Sequence, residues 1–164
     1  MFFGGTVAHE NFHAVVIRCQ DGRLGTVNAA WLTEMQKSGP VDDISVPGAI
    51  KEIVDWYGKS WWRRFLAGVL MSFGLQISLV MRGLEVAVNL HGITTIYLQA
   101  HRDCGAYNGS RAFSESITEK TFHLAQIKQA AEIIRKHFKN PKLEIHLKWV
   151  ELREHDKWEI ADFS

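Results

Sequence analysis

His101 stands three residues before Cys104 in Ala100-His101-Arg102-Asp103-Cys104-Gly105-Ala106-Tyr107, directly after the β-branched run Ile93-Thr94-Thr95-Ile96-Tyr97-Leu98. An imidazole and a soft, deprotonatable sulfur at that spacing, just past a strand, suit zinc. His-x-x-Cys is short enough to recur by chance, so the pattern needs a third ligand from elsewhere in the chain. Cys19, the only other cysteine, offers one in Arg18-Cys19-Gln20-Asp21-Gly22-Arg23-Leu24, at the end of the apolar strand candidate Ala14-Val15-Val16-Ile17. Taken singly, Cys19 reads as a small buried hydrophobe, Asp21-Gly22 as a turn, and Asp21 with Arg23 as a surface pair. Placed together at matching strand ends, they read as a metal site made of Cys19, His101 and Cys104.

A second metal pattern competes for attention. His9-Glu10-Asn11-Phe12-His13 satisfies the His-Glu-x-x-His spacing of zinc proteases, but that chemistry requires a helix, on which i and i+4 aim both imidazoles at one ion. Gly4-Gly5 precede it and Ala14-Val15-Val16-Ile17 follow at once, which predicts glycine-rich entry into a strand. A partly exposed N-terminal segment is expected instead.

The elements that must position the site alternate. After the Cys19 turn, Thr26–Met35 carries apolar residues at Val27, Trp31 and Met35 and stops near Ser38-Gly39-Pro40, a helix; Val41–Val46 is a short strand closed by Pro47-Gly48. Ala49–Tyr57 returns to helical period, broken at Gly58. Helical spacing recurs from Gln76 to His91 through Ile77, Val80, Leu84 and Ala87, with Gly92 as the cap before the Ile93 strand. Ser116 and Glu119 have capping-box form at the head of a long helix with the stripe Leu124, Ile127, Ala131, Ile134 and Phe138, ended by Asn140-Pro141. Leu143–Trp149 alternates as a strand with one wetter face, and Arg153–Lys157 reads as a turn returning through Trp158-Glu159-Ile160. Residues 1–164 are thus expected to form one α/β domain, with a mostly parallel central sheet of about four strands flanked by helices and a C-terminal edge strand or hairpin. Ligands of such sheets sit beyond the carboxyl ends of the strands, where the winding reverses. If the Ala14 and Ile93 strands are neighbours, Cys19 and His101 converge there.

Composition narrows the function classes. Lysine plus arginine (19) nearly balances aspartate plus glutamate (18) in 164 residues, so no field of one sign points to nucleic acid. Two cysteines inside candidate ligand motifs do not make a disulfide framework; used as thiolates they imply a reducing compartment, and the cytoplasm is expected. Met1-Phe2-Phe3-Gly4-Gly5 lacks the form of a signal peptide, and no apolar stretch approaches the roughly 20 residues that span a bilayer. The apolar segment around Trp61-Trp62-Arg63-Arg64 is expected to pack on the core or on another subunit rather than on a membrane surface. His91, His123, His137, His146 and His155 lack ligand partners at sensible spacing and are expected to be structural or solvent-facing.

Cys19-x-Asp21-x-Arg23 together with His101-x-x-Cys104-Gly105 resembles the β-class carbonic anhydrases, and Leu84–Ile96 resembles the helix and strand that lead to the histidine in that family. The resemblance covers residues 14–24 and 77–107. It implies a zinc ion held by Cys19, His101 and Cys104, a zinc-bound hydroxide that converts carbon dioxide to bicarbonate, and a homodimer or an assembly of dimers. It also implies Asp21 and Arg23 as a carboxylate and guanidinium beside the metal, with Asp21 as a conditional fourth ligand that closes the site when it leaves the arginine. In the family the second strand ends in an arginine-asparagine-alanine-glycine stretch; here Ser45-Val46-Pro47-Gly48-Ala49 stands in its place, and only the glycine corresponds.

The residues support this chemistry on their own terms. Two thiolates cancel the charge of the dication, so bound water is less acidic than on a three-histidine zinc, where its pKa is about 7. Asp21 can accept a hydrogen bond from the attacking species, provided Arg23 holds it by bidentate pairing. Cys104 would gain thiolate character if it opened a helix. The competing functions are hydrolysis of a related cumulated molecule such as carbonyl sulfide or carbon disulfide, a non-catalytic zinc domain closed by Asp21, and a redox pair of Cys19 with Cys104.

Overall fold

Ala14, Val15, Val16 and Ile17 are all fully buried, as a continuous apolar run must be in a strand covered on both faces. In the computed structural model, which describes residues 12–58, 65, 69, 78–152 and 157–163, this run is β1 (Ala14–Cys19). It pairs in parallel with β2 (Val41–Val46) on one side and β3 (Thr95–His101) on the other. β4 (Glu144–Leu152) adds in parallel to β3, and β5 (Trp158–Asp162) closes that edge antiparallel to β4. The resulting five-stranded sheet has the order β2-β1-β3-β4-β5: four parallel strands and the expected C-terminal edge strand. The winding leaves β1 towards β2 and then reverses towards β3, so the crevice between the ends of β1 and β3 is the switch point where such folds bind ligands.

Three helices fill the face on which Val15, Ile17, Ile96 and Leu98 point. α2 (Ala49–Tyr57) contributes Ile53 and Val54, α3 (Leu79–Asn89) Val80, Met81 and Leu84, and α4 (Ser116–Phe138) Ile127 and Ile134, all buried in one cluster. Burying such side chains contributes roughly 1.5–3 kcal/mol each. Side chains alternate across a strand, and Tyr97 and Gln99 face the opposite way. There α1 (Gly25–Met35) meets them, Trp31 edge-on to Tyr97 at 5.6 Å and Asn28 accepting the Gln99 amide at 2.8 Å. The inward position of α1 is therefore the polar Asn28, 1% exposed, while Val27, Trp31 and Met35 are half-buried.

The head of α4 departs from the sequence expectation. Ser116 is not its cap: Glu115 precedes the first turn with no side-chain cap, and Glu119 does not reach back to form a capping box. The Glu119 carboxylate turns inward because the loop after β3 offers it better donors, the Asp103 N–H and the Ser110 hydroxyl. α3 begins behind Ser78, whose hydroxyl accepts the Met81 N–H at 3.1 Å. The earlier part of its expected period, residues 76–77, lies outside the described residues, as do residues 9–11 of the His-Glu-x-x-His pattern, the Trp61-Trp62 segment, and residues 153–156 between β4 and β5. No helix among the described residues is long and apolar enough to cross a membrane.

Candidate metal centre

Cys19 ends β1 and His101 ends β3, so the switch point brings them together from positions 82 apart in sequence. Cys104 joins them because the chain turns sharply after β3, through Asp103 at φ 58°. The ligand atoms of Cys19, His101 and Cys104 lie within 4.8 Å of one another. The two sulfurs are 3.9 Å apart; bound to one zinc at about 2.3 Å and the tetrahedral angle, two sulfurs stand about 3.8 Å apart. His101 is 1% exposed, and its Nδ1 sits 2.8 Å from the Arg102 carbonyl. A carbonyl only accepts, so Nδ1 carries the hydrogen and Nε2 presents its lone pair, buried and without a partner. The donor set therefore fits zinc in number, spacing and tautomer.

The two thiols lie close enough to shift each other. A hydrogen bond from Cys104 pulls Cys19 well below the ordinary thiol range against the opposing effect of burial, helped by His101 and by the Gly48 N–H. That N–H donates to the Cys19 sulfur at 3.3 Å. The hydrogen bond with Cys19, then burial, pushes Cys104 up. The condition for extra thiolate character at Cys104 is not met: the residues after it form only a three-residue 3-10 turn, Gly105–Tyr107, too short to act as a helix N-terminus.

Asp21 and Arg23 form the predicted pair. Asp21 opens a 3-10 turn, Gly22–Leu24, by accepting the Arg23 N–H at 3.0 Å. Its two carboxylate oxygens also accept the guanidinium, Nε on Oδ1 at 3.0 Å and Nη2 on Oδ2 at 2.7 Å. The guanidinium holds the Asp21 carboxyl below its usual range. Asp21 Oδ2 lies 4.0 Å from the His101 ring, beside the ligand cluster but turned onto the arginine.

Several neighbours were not legible as site residues. Asp103 accepts Arg23 Nη1 at 2.5 Å on its side chain and Nη2 at 2.9 Å on its carbonyl, so Arg23 lies between two carboxylates. The Trp158 ring of β5 stands 5.9 Å from the same guanidinium. His123, 2% exposed, lines a cavity of about 10 Å³ behind the ligands together with Ile50, Gln99, Ala100 and Tyr107. It is structural, as expected, yet it belongs to the surroundings of the metal cluster; burial pushes its pKa down to about 4, leaving it neutral. On the outer side, Asp21, Arg23, Asp103, Asn108 and Arg111 line an open cleft of about 500 Å³. Asp103 lay inside the His101 motif, but nothing in the sequence announced that a left-handed backbone would turn it back onto Arg23. No spacing rule links Glu119, His123 or Trp158 to the motifs. His91 and His137 pair instead with Asp42 and Glu85, at 2.7 and 3.3 Å.

The family model described as "Putative carbonic anhydrase" matches residues 8–162. An uncharacterized protein of Rickettsia conorii is 25% identical over 136 residues, 80% of this chain and 63% of the relative, so the chain spans less than two thirds of that protein's length. Among solved structures, the fold is similar to β-carbonic anhydrase isoform I of Trichomonas vaginalis, with a TM-score of 0.52 and 18% identity over 93% of this chain and 83% of that one. It is also similar to the Coccomyxa β-carbonic anhydrase in complex with acetazolamide, with a TM-score of 0.53 and 16% identity over 91% of this chain and 71% of that one. At these identities the likeness is one of fold.

Proposed function

The chain belongs to the carbonic anhydrase family whose model spans residues 8–162, and from that premise we propose that it catalyses the zinc-dependent, reversible hydration of carbon dioxide to bicarbonate. The observation that carries this reading is the convergence of Cys19, His101 and Cys104, with a buried, unpartnered His101 Nε2, beside an Asp21 held on Arg23. Bound by those residues, zinc supplies a Lewis acid that makes a water nucleophilic near neutral pH.

The chain's own groups do the rest. Asp21, ionised and fixed on Arg23, would use Oδ2, the oxygen 4.0 Å from the His101 ring, to accept a hydrogen bond from the attacking water and orient it. Arg23 keeps that carboxylate in place, and the outer cleft, which also carries Arg111, offers the anionic product a way out. Ile50, Ala100 and neutral His123 give the surroundings of the ligand cluster an apolar character that favours an uncharged substrate over an ion. The same apolar lining would serve a second reading, the hydrolysis of carbonyl sulfide or carbon disulfide. The arginine clamp on Asp21 argues against a closed structural site, in which Asp21 would be the fourth ligand. We place the protein in the cytoplasm, where both thiols stay reduced. We assign it a homodimer, the assembly that the family resemblance implies.

Stopped-flow hydration of carbon dioxide by the zinc-loaded chain, from about pH 6.5 to 9 because two thiolates raise the pKa of the bound water above 7, tests the reading. The expected rate tracks zinc content, rises with pH and is inhibited by acetazolamide. No rate above buffer, with one zinc still bound per chain, would sink the activity; turnover of carbonyl sulfide alone would establish the second reading.

A further inference from the structure

Glu119 is fully buried, and its carboxylate makes its short hydrogen bonds away from its own helix, with Arg102 and His123 near it at 3.8 and 3.9 Å. One oxygen accepts the Asp103 N–H at 2.6 Å and the other the Ser110 hydroxyl at 2.7 Å, pinning both ends of the loop that carries Cys104 onto α4. A carboxylate is kept in such a place only when donors satisfy it. The first of these donors comes from a residue whose backbone is in the left-handed region, φ 58°, which non-glycine residues seldom occupy. Asp103 is further fixed by the Ser110 N–H, which donates to its Oδ1 at 2.8 Å. In that conformation Asp103 turns two acceptors, Oδ2 and its own carbonyl, onto the outer edge of Arg23.

Arg23 needs such support. Its side chain is 47% exposed, and an exposed ion pair between two mobile side chains has little orienting power. Gripped between Asp21 and Asp103, the guanidinium has one geometry, and Asp21 inherits it. We propose that Asp103, set in place by buried Glu119, is the positioning residue that holds Arg23 against Asp21 and thereby keeps the Asp21 carboxylate off the metal. This inference rests on the metal reading above.

The test uses the full chain loaded with cobalt and titrated with thiocyanate, whose binding at an open coordination position changes the visible spectrum. Asp103→Asn keeps the left-handed backbone, since asparagine tolerates it, but its amide nitrogen faces Arg23 with a donor where an acceptor is needed. We expect Asp103→Asn to retain one cobalt per chain and to bind thiocyanate about 10- to 100-fold more weakly, because Asp21 takes the open position. Adding Asp21→Ala to that variant restores thiocyanate binding, an outcome a general loss of structure would not produce. Glu119→Ala behaves as Asp103→Asn and Glu119→Gln as wild type; if Glu119→Ala does not fold, Asp103→Asn decides.

Unchanged thiocyanate affinity in Asp103→Asn would overturn the proposal and leave the metal reading intact. A wild-type chain that takes up no cobalt or zinc would instead sink the metal reading. The clamp is then decided by hydrogen exchange of the Arg23 Nε–H in the metal-free chain: faster exchange in Asp103→Asn supports it, and equal exchange overturns it.

Discussion

Cys104 to serine replaces one sulfur with one oxygen with little change of shape, so it isolates the metal reading from the fold. Oxygen is a poorer, protonated ligand in a site built from two sulfurs and an imidazole. Cys104→Ser is expected to fold and to lose its zinc, read as metal per chain after dialysis; retention of a full zinc would remove Cys104 from the ligand set. Asp21→Asn keeps the shape but gives one oxygen of the carboxylate up to an amide. With zinc retained, its turnover number is expected to fall by about 10²–10⁴, and an unchanged rate would show that Asp21 does not orient the attacking water. His123 gives a pH signature. Burial holds it neutral, with a folded pKa of about 4 against about 6.5 in the unfolded chain. Between those values the unfolded chain binds a proton that the native one refuses. Its share of stability is therefore complete above about pH 6.5 and is lost at about 1.4 kcal/mol per pH unit as pH falls towards 4. Urea titrations of the metal-free protein across that window should show a flatter dependence for His123→Phe, and equal slopes would place His123 in a wetter setting.

Among the elements, the junction between β2 and α2 controls the site through backbone rather than side chain. Gly48 has φ 64°, its N–H reaches the Cys19 sulfur, and a Cβ added there would stand 2.6 Å from the Ala106 Cβ. Gly48→Ala must therefore strain the left-handed turn or push back the loop behind Cys104. A loss of about 1–3 kcal/mol is expected in the urea midpoint of the metal-free chain, together with a raised Cys19 pKa in thiol-reactivity titrations. Wild-type values for both would mean that the loop yields freely. This glycine was legible in the sequence as the one correspondence with the arginine-asparagine-alanine-glycine stretch, and the strands at Ala14, Val41, Ile93 and Leu143 were legible from their apolar and β-branched runs. The cap at Ser116 was not: serine followed by glutamate three residues later describes a local preference, and two donors from a distant loop outcompete it for Glu119.

At the scale of the whole molecule the candidate site is a tie between distant parts of the chain, because the residues that could hold a metal come from the ends of β1 and β3 and from the loop beyond. A metal that binds only this convergence stabilises the fold by mass action, about 2.7 kcal/mol when free zinc exceeds its dissociation constant about 100-fold. Thermal unfolding should shift upward by several degrees on zinc loading and return on chelation, and a midpoint indifferent to zinc would mean that the ligands do not converge in solution. The sequence by itself determined the candidate ligand types, the Asp21 and Arg23 pair and the alternation of strands and helices, because these follow from residue chemistry and from periodicities a few residues long. Only the tertiary structure decided that Asp103 turns back onto Arg23, that Glu119 anchors it, and that the Gly48 N–H reaches the Cys19 sulfur. Each of those depends on hydrogen bonds between residues brought together by the reversal of winding at β1 and β3, and no local pattern encodes such a meeting.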